Sequence, residues 1–321
     1  MRGLIAVISA VALVAGCGSS NDKADTKTTR SVTVDGTKLT VPDSPQRIVV
    51  LWQPTLAAVT ELGFHPVGAT GDATAEHGLA PYLPANYQTK SITIVSNSSA
   101  PDDINLEKVS SLRPDLIIGV ATGNKKQTGL APDLKKIATT VILNWTGSSS
   151  WQQHFTDVAA VLGAQAKAAG VVKDYKSRIA KARTQISDPA KTEVSIVRVQ
   201  SPSELRLETP VSFPGIVAAD LGFSRPATQQ KPDSGKDFAS VSPERLSDAD
   251  GDLLFALPNL DNSGTAKVIE SNPLWKTLTA VKAHKAFAVD YAYWGATDYY
   301  GAFRIIDDIV NAATGKGQAL S

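Results

Sequence analysis

The sequence predicts an α/β protein of two Rossmann-like lobes joined by a single long backbone helix, with a cleft between the lobes. From Val41 onward, short apolar runs alternate with helical patterns, which is how a parallel sheet covered by helices reads. That alternation occurs in two blocks. Between them, Ala164 to Ile186 places Ala166, Ala169, Val172, Tyr175, Ile179, Ala182 and Ile186 at steps of three and four, defining one helical face.

The N-terminus comes before either lobe. Met1 and Arg2 precede an apolar run from Leu4 to Ala15 that only Ser9 interrupts. A transmembrane helix needs roughly 20 apolar residues, so this run is too short to span and reads as a signal peptide over 1–16. The small residues Ala15 and Gly16 then stand directly before Cys17, the only cysteine of the 321 residues. A lone cysteine leaves neither a disulfide framework nor a thiolate metal site in the body of the protein. Gly18 to Arg30 is polar, too poor in apolar side chains to offset the entropy of ordering, and 17–40 is assigned as a flexible tether.

The first lobe, 41–150, opens with Arg47-Ile48-Val49-Val50-Leu51 as a buried strand, followed by a helix from Pro54 to Leu62 that Gly63 stops. Strands follow near Val67 and at Ile92 to Val95, Asp115 to Gly119 and Thr140 to Leu143, with helices at Leu106 to Leu112 and Leu130 to Lys136. The connector, 151–188, holds a short helix ending at Leu162-Gly163 and then the long one. At 1.5 Å per residue that helix spans roughly 35 Å, enough to bridge two lobes, and its stiffness permits only small relative motion. The second lobe, 189–321, has strands at Val194 to Val199, Leu205 to Leu207, Leu253 to Ala256 and Ala286 to Asp290, a helix at Ile216 to Leu221, and a final helix over Gly301 to Ala312.

A net charge of +1 argues against a nucleic-acid partner. Signatures of catalysis are missing: there is no Gly-x-Ser-x-Gly elbow, no Gly-x-Gly-x-x-Gly after the first strand, and Gly315-Lys316 is followed by Gly317 rather than Ser or Thr. The adjacent carboxylates Asp102-Asp103 and Asp307-Asp308 point apart on helices and offer no acid/base geometry. His65, His77, His154 and His284 are scattered without metal-ligand spacing. The sequence therefore reads as a binding protein, not an enzyme, with no cofactor and no direct metal ligands.

Four segments carry a family resemblance. They are Ser44 to Leu51 leading to Leu62-Gly63-Phe64-His65-Pro66-Val67-Gly68; Asn105-Leu106-Glu107-Lys108-Val109 leading to Arg113-Pro114-Asp115-Leu116; Val241-Ser242-Pro243-Glu244-Arg245-Leu246; and Pro273-Leu274-Trp275 leading to Leu278 to Lys282 and Ala286 to Asp290. In this order and spacing the chain resembles the helical-backbone class of periplasmic binding proteins, the receptors for ferric siderophores, haem and vitamin B12. The segment before Cys17 likewise resembles the lipobox of bacterial lipoproteins, which implies a diacylated Cys17 and a membrane-anchored, extracytoplasmic receptor. The resemblance implies a monomeric partner of an ABC transporter permease and its ATPase, delivering an iron(III)-siderophore or, alternatively, haem or a corrinoid. It also implies that Glu107 and Glu244, one per lobe, dock into arginine pockets of the permease. Charge-assisted carboxylate–guanidinium pairs at two points would fix orientation, although an early glutamate also suits a helix start. One position departs from the pattern: where many relatives carry an acid before the Leu-Gly closing the first helix, Ala57 stands here, with Glu61 a turn later.

Ligand-binding candidates lie at the carboxyl ends of strands, where an α/β cleft is lined. In the first lobe these are Trp52 and Gln53, Thr122 to Asn124, and Trp145, with Trp151 close behind. In the second they are Arg198, Arg206, Tyr291, Tyr293 and Trp294. Aromatic walls with one or two arginines suit a ligand with ring systems and negative charge.

Overall fold

The computed structural model describes residues 28–72, 78, 79, 83, 91–97, 103–122, 126–258 and 269–320. The signal peptide and Cys17 lie outside the described residues, as do His77, Gly123 and Asn124.

The chain first forms a hairpin, β1 (Thr29–Val34) and β2 (Thr37–Pro42), where the tether was expected to continue to residue 40. Asp35 and Gly36 both have positive φ, 49° and 71°, the geometry of a tight two-residue hairpin turn. Val32, Val34 and Val41 are buried, and Arg30 donates to the Val161 carbonyl at 2.6 Å. The alternation Val32, Val34 before Asp-Gly and Leu39, Val41 after it supplies the apolar face that orders this segment.

The first lobe is a five-stranded parallel sheet in the order β5-β4-β3-β6-β7. It comprises β3 (Ile48–Val50), β4 (Gly68–Ala69), β5 (Thr93–Ile94), β6 (Leu116–Ala121) and β7 (Thr139–Asn144). Its helices are α1 (Gln53–Glu61), α2 (Leu106–Ser111) and α3 (Lys126–Ile137). Pro54 sits in the first turn of α1 and Gly63, at φ 80°, follows its end, as expected. The connector is α4 (Trp151–Leu162) and α5 (Gln165–Arg183). Tyr175, Ile179, Ala182 and Ile186 are buried on the predicted face, but at its start Ala168 is inside while Ala166 and Ala169 are exposed. Small residues at 166, 168 and 169 leave the phase of the first turn undefined by hydrophobicity alone.

The second lobe contains β8 (Val194–Ser201), β9 (Glu204–Glu208), β10 (Phe238–Val241), β11 (Leu253–Pro258) and β12 (Ala286–Ala288), in the order β10-β9-β8-β11-β12. Its helices are α6 (Phe213–Asp220), α7 (Thr279–Lys282), α8 (Tyr291–Trp294) and α9 (Tyr299–Ala313). This sheet is mixed, unlike the parallel sheet expected: β8, β11 and β12 run parallel, and β9 and β10 are antiparallel. Only Pro202 and Ser203 separate β8 from β9, too short a link for a crossover, so the chain must turn back as a hairpin.

One apolar cluster crosses the junction, running from Val50 and Leu56 through Trp151, Tyr175 and Tyr299 to Ile196 and Phe255. At its centre the Trp151 ring lies 4.7 Å from Tyr299, 5.3 Å from Phe213 and 5.6 Å from Tyr175, all edge-on. These four rings come from α4, α9, α6 and α5. The Tyr175 hydroxyl donates to Asp220 at 2.6 Å, tying the long helix to the end of α6. The C-terminal helix is a second bridge beyond the single one expected, because it packs against α1 of the first lobe, with Tyr300 beside Glu61. Its first turn is capped by Asp298, whose carboxylate accepts from Gly301 N at 2.8 Å.

Trp151→Ala should destabilise the protein by roughly 3 to 5 kcal/mol in urea unfolding, the range for deleting a buried large aromatic. The exposed Lys173→Ala should stay within about 0.5 kcal/mol of the parent.

Candidate functional site

Ser148, in the 3-10 turn after β7, donates to the Asp237 carboxylate just before β10, which joins the lobes across the cleft. Asp237 is held from its own lobe as well, its carbonyl accepting from the Thr209 hydroxyl at 2.7 Å.

On the first lobe, Trp52 follows β3 and Trp145 follows β7. Their rings meet edge-on with centroids 4.7 Å apart, both half-buried. Beneath them lies His154 of α4, 5.2 Å from Trp52 and 5.8 Å from Trp145, with Nε2 at 2.9 Å from the Thr55 hydroxyl. Burial pushes the His154 pKa down to about 4, so this wall is aromatic and uncharged at neutral pH. Gln127 sets the backbone under Trp52: its Nε2 donates to the Leu51 carbonyl at 2.6 Å and its Oε1 accepts from Val120 N at 2.7 Å. Gln53 is half-buried at the start of α1.

On the second lobe, strand register assembles the wall. Arg198 and Arg206 are direct partners across β8 and β9, and Ser240 of β10 pairs with Arg206. Ile196 on the same face of β8 goes into the core, and Arg198, two residues on, shares that face in the middle of the strand. Its Nη1 donates to the Tyr291 hydroxyl at 2.6 Å, and its guanidinium stands 5.0 Å from the Tyr291 ring and 5.5 Å from Phe238. Glu208, buried, lies 3.8 Å from Arg198 Nε, an ionic contact beyond hydrogen-bond length. Burial pushes the Glu208 carboxyl up from its ordinary value, opposed by Arg198. Arg206 pairs with Glu204 at 2.9 Å and stacks over Phe238 at 4.3 Å. Arg198, Glu208, Asp237 and Tyr291, with Ser148 from across the cleft, enclose about 130 Å³. That is well under the roughly 300 to 1,000 Å³ of a small-molecule site.

The structure thus brings together Trp52 with Trp145, and Arg198 with Arg206 and Tyr291. Trp294 lines the same small cavity as Arg198 and Tyr291, but from a buried position: it is 0 % exposed, its indole N–H donates to Asp308 at 2.9 Å and its ring packs 4.8 Å from Phe255. It supports the cavity floor from within the core. Tyr293 faces Arg304, 5.6 Å from its ring, and Trp151 belongs to the junction. Phe238, Glu208 and His154, which the sequence did not single out for the site, stand beside these residues, and Phe-Ala-Ser-Val at 238–241 carries no alternation that would mark the first of them.

Glu107 and Glu244 lie away from this wall, both exposed. Glu107 is in the first turn of α2, which Asn105 caps by accepting from Lys108 N at 2.9 Å. Glu244 opens the turn Pro243–Ala249, and a hydrogen bond from Ser242 holds its carboxyl below the ordinary value. The two elements are topological counterparts: α2 carries the chain from edge strand β5 to β6, and the turn carries it from edge strand β10 to β11.

Two α/β lobes locked by helices, one carrying an aromatic cluster and the other paired guanidinium groups, form a two-lobed solute receptor. The chain belongs to the periplasmic binding protein family, whose pattern matches residues 48–293. Among its relatives, the probable siderophore-binding lipoprotein YfiY of Bacillus subtilis is 31% identical over 95% of both chains. The Fe(3+)-citrate-binding protein YfmC of the same organism is 30% identical over 91% of this chain and 90% of that one. The siderophore periplasmic binding protein from the fuscachelin gene cluster of Thermobifida fusca superposes with a TM-score of 0.70 at 26% identity, over 86% of this chain and 98% of that one. Staphylococcus aureus SirA complexed with staphyloferrin B shares the fold, with a TM-score of 0.72 at 24% identity over 88% and 98%.

The buried His154 gives a pH prediction. Its folded pKa is depressed from 6.5 to about 4, so the unfolded chain binds the proton first and the stability it contributes above pH 6.5 is lost as pH falls toward 4. Urea midpoints measured across this window should fall more steeply for the parent than for His154→Gln, by up to about 3 kcal/mol at pH 4.

Proposed function

We propose that this protein captures an iron(III)-siderophore complex and delivers it to the permease of an ABC importer. The observation that carries the reading is the presence of an aromatic cluster, Trp52 with Trp145, on one lobe and of Arg198, Arg206 and Tyr291 on the other, the lobes meeting at the Ser148–Asp237 contact. Rings on both sides grip the flat aromatic or chelate surfaces of such a ligand, and the guanidinium groups donate to its oxygens. Iron is cargo here, carried inside its chelator. The relatives' names, a siderophore-binding lipoprotein and a ferric-citrate-binding protein, support the same substrate class.

Glu107 and Glu244 serve as the docking carboxylates. Their exposure and their equivalent places in the two lobes suit a two-point contact with arginine pockets of a permease. Cys17 serves as the lipid anchor on the extracytoplasmic face of the membrane. No helix among the described residues is long and apolar enough to cross a membrane. Acyl chains, at about 0.8 kcal/mol per buried methylene, would hold the protein there, and the polar segment that follows Cys17 gives the lobes reach.

Tryptophan fluorescence of the full chain in detergent micelles, titrated with ferric siderophores, their iron-free forms, haem and cobalamin, tests the reading. Saturable quenching by a ferric siderophore is expected, weakened about tenfold or more in Trp52→Ala and in Arg198→Ala, which corresponds to about 1.4 kcal/mol each. Glu107→Ala combined with Glu244→Ala should leave the quenching intact and abolish uptake in cells. Saturation by haem or cobalamin alone would replace the substrate.

A further inference from the structure

The balance of charge in the cleft narrows the chelate, an inference that rests on the ferric-chelate reading above. Arg198, Arg206 and Lys236 gather around the Phe238 ring, 5.5, 4.3 and 5.2 Å from its centroid. Three cations in one place invite a polyanion. Each of them already has its own carboxylate: Glu208 at 3.8 Å from Arg198, Glu204 at 2.9 Å from Arg206 and Asp233 at 3.2 Å from Lys236. Arg225 adds a buried cation behind Glu208, spent on the carbonyls of Val194 and Glu208 and on Gln229. Asp237 adds a further carboxylate that lines the same cavity as Arg198, and no cation among the described residues forms an ion pair with it. The first lobe contributes Trp52 and Trp145 over a neutral His154.

We infer that the cleft selects ferric chelates of low net charge, neutral or cationic as in trishydroxamates, over trianionic ferric triscatecholates. A trianion entering this wall gains no uncompensated positive field. It must either lie beside Glu204, Glu208 and Asp237, where like charges repel, or draw the arginines off their carboxylates, which leaves Glu208 buried and unpaired at a large desolvation cost. A chelate of low charge leaves every pair in place. It meets aromatic surface at Trp52, Trp145, Phe238 and Tyr291, with the outer guanidinium N–H groups available to neutral oxygens.

The test is a parallel fluorescence titration of the full chain in detergent micelles with the cationic ferric complex of Desferal and with trianionic ferric enterobactin, ferric citrate being carried as a further chelate. Desferal should bind at least about tenfold more tightly, and Glu204→Gln combined with Asp237→Asn should shift the ratio about tenfold toward enterobactin. Equal or tighter binding of ferric enterobactin by the parent overturns the inference and leaves the ferric-chelate reading standing. Binding of none of the ferric chelates overturns both.

Discussion

The edge-on packing of Trp151 against Tyr299, Tyr175 and Phe213 sets the relation of the two lobes, because each ring comes from a different helix. Phe155 extends the contact, 4.7 Å from Tyr299. Such a cluster resists sliding, since a close-packed interior has few alternative arrangements and loses dispersion contacts on small displacements. The stiff α5 and the returning α9 deliver their rings to the same point, and Tyr300 to Glu61 adds a polar tie on the first-lobe side. The two lobes are thereby held in one arrangement, with Ser148 against Asp237. A preformed cleft reduces the ordering that binding would otherwise require.

The two walls of that cleft differ in physical kind. The first-lobe wall is apolar and neutral, since burial keeps the proton off His154 and Gln127 satisfies the strand-end groups of Leu51 and Val120. On the second lobe, guanidinium groups are held in place by carboxylates from the same sheet. Pairing Arg198 with a buried Glu208 adds little to stability once desolvation is counted. It fixes where the guanidinium points, with Tyr291 holding Nη1 from the other side. Orientation of donors, more than net attraction, is what this wall offers a ligand.

Much of this was legible in the sequence where one physical signal dominated. Val194 to Val199, Leu253 to Ala256 and the long amphipathic run ending at Ile186 report burial directly through their periodicity. The second hairpin strand at Leu39 and Val41 lay in a stretch whose polar start pointed to disorder, yet Val32, Val34 and the Asp35-Gly36 pair carried the turn signal within it. Trp294 follows a strand, which places it near the cavity it lines, but only tertiary packing against Phe255 and Asp308 decides how deeply its ring is buried. The alliance of Arg198, Arg206 and Phe238 depends on register across three strands, which no local pattern encodes. The four family segments located Glu107 and Glu244, and topology adds that they occupy equivalent crossovers.

The central claim is that the aromatic junction holds the cleft nearly preformed, and a distance measured between the lobes tests it directly. Spin labels at Lys136→Cys on α3 and Lys276→Cys on the second lobe, both exposed, with Cys17→Ala removing the native thiol, report that distance with and without a saturating ferric chelate. The account predicts one narrow distribution that shifts by less than about 3 Å on binding. A shift on the order of 10 Å, or two populations in the free protein, would show hinged lobes and contradict it.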